Sequence, residues 1–245
     1  MKTLLVVGEQ KDYINPNDVA AFGVNTVRDI TKDEFAALDF NPADTIIIKG
    51  IIETADLMRI VLQLNKNLGG GFLSHCGVFR HPTLPRPFIL TDAALNIAPT
   101  LEDKKHITQN AINLARRLKL SDNPSVNFLT PSGIISPKIK SSTDADALEK
   151  YFAEISPEIR TTHFAFDVCF SENSRNVKKV QSAQPDILIC DNIDQGNSTW
   201  KALTIFNGFS IAGFVVGNPA LPPVLLNSRG DSKSDKIWAI ELACK

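Results

Sequence analysis

Val224-Leu225-Leu226-Asn227-Ser228-Arg229-Gly230-Asp231-Ser232-Lys233-Ser234-Asp235-Lys236-Ile237-Trp238-Ala239-Ile240-Glu241-Leu242 is the stretch that decides the fold. Its first three residues are apolar and start on a β-branched valine, which suits a short buried strand. A polar turn follows. Ser232-Lys233-Ser234-Asp235 then has the spacing of a capping box, in which the serine oxygen serves a backbone N–H three residues on and the acid reaches back. The pattern predicts a strand over Val224–Leu226 and a helix over Ser232–Leu242. A strand that turns tightly into a helix is the repeating unit of an α/β fold.

Upstream, the same alternation recurs. Strands are expected at Leu4–Val7, Thr45–Ile48, Phe88–Leu90, Val126–Leu129, Phe164–Phe166, Ile187–Cys190 and Ile211–Val216. Amphipathic helical patterns cover Thr54–Leu64, Thr100–Leu118, Asp144–Ile155, Arg175–Ala183 and Asn197–Phe206. Thr100 and Asp103 form a second capping box, and Thr54 has the character of an N-cap. Short apolar strands between helices predict a mainly parallel sheet with helices on both faces. Gly69-Gly70-Gly71 and Gly217-Asn218-Pro219 are the hinge candidates, because glycine frees the backbone.

The bulk numbers agree with this reading and narrow the function. The chain has 245 residues, 43% hydrophobic and 22% charged, which fits one or two ordinary globular domains. A net charge of -1 and the lack of a basic segment argue against a general nucleic-acid binder. The long uncharged stretch Ala202–Ser228 is broken by glycine and proline, so no membrane span is expected. The 4 cysteines form no C-x-x-C pair, and scattered thiols suit the cytoplasm. A P-loop, a G-x-S-x-G elbow and an H-E-x-x-H are all missing, and Gly69–Gly71 fails G-x-G-x-x-G because Ser74 stands at the last position. His75, His81, His106 and His163 lack metal-ligand spacing, so no metal is expected.

The polar residues at the strand ends point to a cleft, not yet to a chemistry. Ligands of open α/β sheets gather at the carboxyl ends of the strands. Ser228 and Arg229 fall there, on a turn that opens a helix whose free N–H groups and dipole favour negative charge. Arg229 would add a bidentate phosphate donor. Each residue also has a plain alternative: Asp235 as the capping acid, Ser228 as a turn serine, Asn197 as part of a turn and cap, Lys201 as a surface lysine. Arg59, more than a turn into its helix, fits either a solvated, snorkelling side chain or an anion contact.

Five segments in order resemble the phosphate acetyl/butyryltransferase family. They are Lys49-Gly50-(x)3-Thr54-Ala55-Asp56-(x)2-Arg59, Leu73–Phe79, Thr91–Thr100, Gly196-Asn197-(x)3-Lys201-Ala202 and Ser228–Ser232. Leu73–Thr100 looks closer to the butyryl branch than to the acetyl branch. The resemblance implies an isocitrate/isopropylmalate dehydrogenase-like fold: two three-layer α/β domains with mainly parallel sheets and an interdomain cleft. Residues 1–71 with 216–245 would form the first domain and 72–215 the second. It implies reversible transfer of a short acyl group from acyl-CoA to phosphate, giving acyl phosphate and coenzyme A. Coenzyme A would be a substrate, with no permanently bound cofactor and no metal, and the assembly a homodimer. Asp235 would match the acid that deprotonates the thiol and Ser228 the hydroxyl that stabilises the tetrahedral intermediate. Arg229 and Arg59 would match phosphate and acyl-phosphate contacts, with Thr54, Asn197 and Lys201 at further substrate-binding positions.

Two departures from the family pattern stand out. The N-terminal region is short, and Thr162-His163 replaces a frequent Gly-Pro pair. They keep open a trimmed relative that binds coenzyme A or acyl phosphate without turnover. A decarboxylating dehydrogenase of the same fold is a more distant rival.

Overall fold

The computed structural model describes residues 2–9, 14–228 and 230–245. The chain gathers into two units, one of Met1–Val78 with Ser210–Lys245 and one of Phe79–Phe209. The first unit begins with β1 (Lys2–Val7), α1 (Pro16–Val19), β2 (Val24–Ile30), α2 (Lys32–Ala37), β3 (Thr45–Lys49) and α3 (Thr54–Asn67). The chain leaves it through β4 (Ser74–Arg80). The second unit holds β5 (Phe88–Thr91), α4 (Leu101–Arg117), β6 (Val126–Phe128), α5 (Lys140–Ile155) and β7 (Thr161–Thr162). It continues with α6 (Phe166–Phe170), α7 (Glu172–Lys178), β8 (Ile187–Ile189) and α8 (Ile193–Phe206). Then β9 (Ser210–Val216), β10 (Val224–Leu225) and α9 (Lys233–Ala243) return to the first unit.

In the first unit the strands lie in the order β2-β1-β3-β10-β9-β4. Strand β1 runs parallel to β2 and β3, and β10 runs parallel to β3 but antiparallel to β9. Central strands are covered on both faces, which explains their unbroken apolar runs. Ile46, Ile47 and Ile48 of β3 are each no more than 1% exposed, a burial worth about 1.5–3 kcal/mol per side chain. Helix α1 packs with α9, and α2 with α3. Val224 lies opposite Ile47 and Leu225 opposite Ile48. This register brings the carboxyl ends of β3 and β10 side by side, so Lys49-Gly50 and Asn227-Ser228 leave from one edge.

The second unit has a parallel sheet in the order β5-β8-β6-β7. Phe79 stacks on Phe88 at 5.4 Å and meets Trp200 edge-on at 5.4 Å, an aromatic cluster that Phe209 extends. Lys104 is 3% exposed and is neutralised by Asp144 at 2.7 Å and by Asp191. Both units are therefore α/β with mainly parallel sheets. No helix among the described residues is long and apolar enough to cross a membrane.

Several local expectations need correction. Phe164–Phe166 is not a strand. The Asn127 carboxamide takes both backbone groups of Phe164, accepting its N–H at 2.8 Å and donating to its carbonyl at 3.1 Å. That side chain substitutes for a ladder, the pairing falls earlier at β7, and Phe166 opens α6. Thr54 is not an N-cap: Glu53 occupies that position without a side-chain cap bond, and Thr54 is the first helical residue. Helix α8 begins at Ile193, capped by Asn192, so Asn197 lies inside the helix rather than at its start. Strands β2 and β4 were not expected. β2 is a polar edge strand with only its terminal residues buried, and β4 carries Ser74, His75 and Gly77 in its interior.

Candidate active site

The polar turn after β10 is fixed by its own side chains. Leu226 donates its N–H to the Gly213 carbonyl at 2.9 Å. Asn227 then extends the ladder with its carboxamide. Its Oδ1 accepts from Gly213 N at 3.3 Å, and its Nδ2 donates to the Ile211 carbonyl at 3.3 Å and to Asp231 Oδ2 at 3.1 Å. One acceptor and two donors are thus engaged, as a side chain only 3% exposed requires. Gly213 must be glycine here, because an added Cβ would stand 2.4 Å from the Leu226 carbonyl oxygen.

Ser228 sits half-buried at the head of this turn. Its N–H donates to Asp231 Oδ2 at 2.7 Å, its carbonyl accepts from Asp231 N at 3.1 Å, and its Oγ accepts from Gly230 N at 3.4 Å. Arg229, the third residue expected to act in catalysis, lies outside the described residues. Asp235 completes the capping box of α9. Its Oδ2 accepts from Ser232 Oγ at 2.6 Å and Ser232 N at 3.3 Å, while Oδ1 accepts from Ile211 N at 3.3 Å. An ionised carboxylate has about four acceptor positions, so three bonds orient it and leave capacity for one more partner. Both readings of Asp235, cap and available base, are compatible with this geometry.

Ile211 is the common reference. Its carbonyl holds Asn227 and its N–H holds Asp235, so one residue of β9 sets the serine turn and the acid in one frame. Arg59 is outside that hydrogen-bonded frame. It lies on α3, its side chain is 76% exposed, and it pairs with Asp56 at 2.9 Å. Thr54 begins the same helix, half-buried.

Asn197 and Lys201 belong to the second unit, both on α8. Asn197 donates to the Ala93 carbonyl at 3.2 Å. One residue earlier, a Cβ on Gly196 would stand 2.1 Å from the Asp92 carbonyl oxygen, so only glycine lets this helix approach so closely. The 2%-exposed Asp92 accepts from Ala94 N, Leu95 N and Asn96 Nδ2 at 2.8, 2.9 and 2.6 Å. The Thr91–Thr100 segment is therefore a packed turn in contact with α8.

The histidines have structural surroundings. His75 is buried with Nε2 3.3 Å from the Leu226 carbonyl, His81 pairs with Thr83, and His163 lies 2.8 Å from Glu149. Among the described residues no group of His, Cys, Asp or Glu is placed to hold a metal ion. Two features escaped sequence reasoning. The Asn227–Asp231 pair had a signal, since Asn and Asp in turns bond nearby backbone. Buried Lys104 had one too: it shares a helical face with Ile107, Thr108 and Ala111.

Residues 21–244 match the family described as "Phosphate acetyl/butaryl transferase". A protein of Bacillus subtilis named "Probable phosphate butyryltransferase" is 32% identical over 243 residues, covering 97% of this chain and 80% of the relative. The "Phosphate butyryltransferase" of Clostridium acetobutylicum is 34% identical over 206 residues, covering 81% of this chain and 67% of the relative. A crystal structure of a branched-chain phosphotransacylase from Enterococcus faecalis superposes with a TM-score of 0.82 at 25% identity, covering 99% and 98% of the two chains. The isocitrate dehydrogenase of Methylococcus capsulatus shares the fold at a TM-score of 0.55 and 14% identity, over 100% of this chain and 83% of the other.

Proposed function

Because the chain belongs to the phosphate acetyl/butyryl transferase family, we propose that it is a phosphate acyltransferase that interconverts a short-chain acyl-CoA plus phosphate with acyl phosphate plus coenzyme A. The observation that carries this reading is the match over residues 21–244. The Ser228–Asp235 turn at the carboxyl edge of the sheet supports it. In this proposal the acyl group is butyryl or branched-chain rather than acetyl, a preference that rests on the Leu73–Thr100 segment and the likeness to the branched-chain phosphotransacylase, while relatives named phosphate acetyltransferase match at the same 34% identity as the Clostridium relative.

In the direction of thioester synthesis, Asp235 takes the proton of the coenzyme A thiol. A free thiol is mostly protonated at neutral pH, and the thiolate is the nucleophile. The sulfur attacks the acyl-phosphate carbonyl carbon and a C–S bond forms. Negative charge builds on the carbonyl oxygen, where the Ser228 hydroxyl donates; one such donor is worth on the order of 3 kcal/mol. The C–O bond to phosphate then breaks, and phosphate leaves with the bonding pair. Arg229 and Arg59 neutralise the phosphate, and for this Arg59 exchanges Asp56 for substrate. Thr54, Asn197 and Lys201 contribute further substrate contacts. In reverse, a phosphate oxygen attacks the thioester, and the departing thiolate recovers its proton from Asp235. Coenzyme A enters as a substrate, and no step calls for a permanently bound cofactor.

The protein works as a cytoplasmic homodimer in this proposal. Four free cysteines support a reducing compartment. Exposed Ile205 and Phe206, at 68% and 84%, support a further apolar contact at the end of α8. The test is thiol release from butyryl-CoA, isobutyryl-CoA and acetyl-CoA with and without phosphate, alongside light scattering for the assembly. Phosphate-dependent release is expected, fastest with the four-carbon chains. No release with any short acyl-CoA would overturn the reading.

A further inference from the structure

We propose that Asn227 and Asp231 are positioning residues that hold Ser228 in register with Asp235, an assignment that rests on the acyl-transfer reading above. Neither residue has to touch substrate for this role. Asn227 ties the turn to β9 through Ile211 and Gly213, and Asp231 ties the backbone N–H of Ser228 to Asn227 through a single carboxylate oxygen. That oxygen receives two donors, at 2.7 and 3.1 Å. Asp235 is held on the same β9 residue, through Ile211 N. Hydroxyl and acid are thus referenced to one rigid strand rather than to a free loop.

The reason for such a device lies in the sequence. Strand β10 has only two residues, Val224 and Leu225. Its ladder with β3 stops at Leu225, three residues before the serine. Gly230 is exposed and has no side chain to pack. The Ser228 N–H donates to Asp231 Oδ2, which also accepts from Asn227, and a displacement of about 1 Å in a positioning element costs on the order of 100-fold in rate.

The role makes a demand that a charge effect does not. Asparagine at 231 keeps an oxygen able to accept from both Ser228 N and Asn227 Nδ2, while removing the charge. Alanine removes both. The test compares wild type, Asp231→Asn, Asp231→Ala and Asn227→Ala in steady-state kinetics with butyryl-CoA and phosphate, with thermal melts to confirm folding. Asp231→Asn should stay within about threefold of wild-type kcat, and Asp231→Ala should lose about 10- to 100-fold in kcat with the KM for butyryl-CoA little changed. Asn227→Ala should follow Asp231→Ala where it folds; if it does not, the Asp231 pair decides. A folded Asp231→Ala with wild-type kcat overturns the positioning role and leaves the acyl-transfer reading standing. So does an Asp231→Asn as impaired as the alanine variant. A wild type without phosphate-dependent turnover overturns the acyl-transfer reading, and the positioning role falls with it.

Discussion

Asp235 answers two demands at once. As the third residue of α9 it closes the capping box with Ser232, and through Oδ1 it accepts from Ile211 N. As the proposed base it must also receive a proton. The two roles separate by substitution. Asparagine has one acceptor oxygen, enough for the Ser232 cap but not also for Ile211 N, and is no base, so Asp235→Asn should lower kcat by about 100-fold or more with a smaller loss of stability than the alanine variant. Asp235→Ala should show the same kinetic loss and, in addition, about 1 kcal/mol of lost stability from the missing cap. Steady-state rates and urea titrations of the two variants check this. Full turnover by Asp235→Asn would remove the base assignment and leave only the cap.

Between elements, the buried cluster in the second unit makes the clearest energetic statement. Burial pushes the Asp144 carboxyl upward, but hydrogen bonds from Lys104 and Lys140 outweigh it and hold the group below its ordinary 3.8. A depressed folded value means that the stabilisation is fully present above the unfolded pKa and is lost as pH falls through the lower, folded one. Asp144→Asn should therefore destabilise by about 1.5–3 kcal/mol at pH 7, because Lys104 loses one charged partner while keeping Asp191. The gap from wild type should begin to narrow below about pH 4, where the unfolded chain's Asp144 takes up its proton, and should close only below the lower folded value. Urea unfolding at both pH values reads it; a gap that does not change with pH would show that the ion pairs contribute nothing. The same cluster shows what was legible in the sequence. The strands β1, β3, β5, β8 and β9 announce themselves by apolar runs, and the capping boxes at Thr100 and Ser232 by their spacing. Strand β4 did not, because Ser74, His75 and Gly77 interrupt the pattern and are buried by tertiary packing instead. Edge strand β2 was hidden for the opposite reason, since most of it faces solvent. The turn at Ser228 and the cap at Asp235 were readable from turn and cap chemistry. Their common anchor on Ile211 was not, since backbone contacts across 16 and 24 residues leave no local signature.

The chain order of the whole molecule carries a consequence for folding. The second unit is a single continuous segment, Phe79–Phe209, whereas the first is assembled from Met1–Val78 and Ser210–Lys245. Strands β5, β8, β6 and β7 of the second unit pair in parallel, and its aromatic cluster of Phe79, Phe88, Trp200 and Phe209 lies wholly inside that segment. A continuous segment with its own core can fold alone. The first unit cannot be cut the same way. Strands β10 and β9 lie between β3 and β4 in its sheet, so residues 1–78 by themselves lose the middle of the sheet and expose the isoleucines of β3 to water. They also lose α9, which packs against α1 and β9. Expressed separately, residues 79–209 should give a cooperative urea transition and a dispersed amide spectrum. Residues 1–78 should stay unfolded or aggregate until a 210–245 peptide is added. The pairing of β10 with β3 on one side and β9 on the other makes that peptide a missing interior strand pair rather than an appendage. Independent cooperative folding of 1–78 would mean that the β1–β2–β3 layer is stable on its own and that β10 only joins a finished sheet.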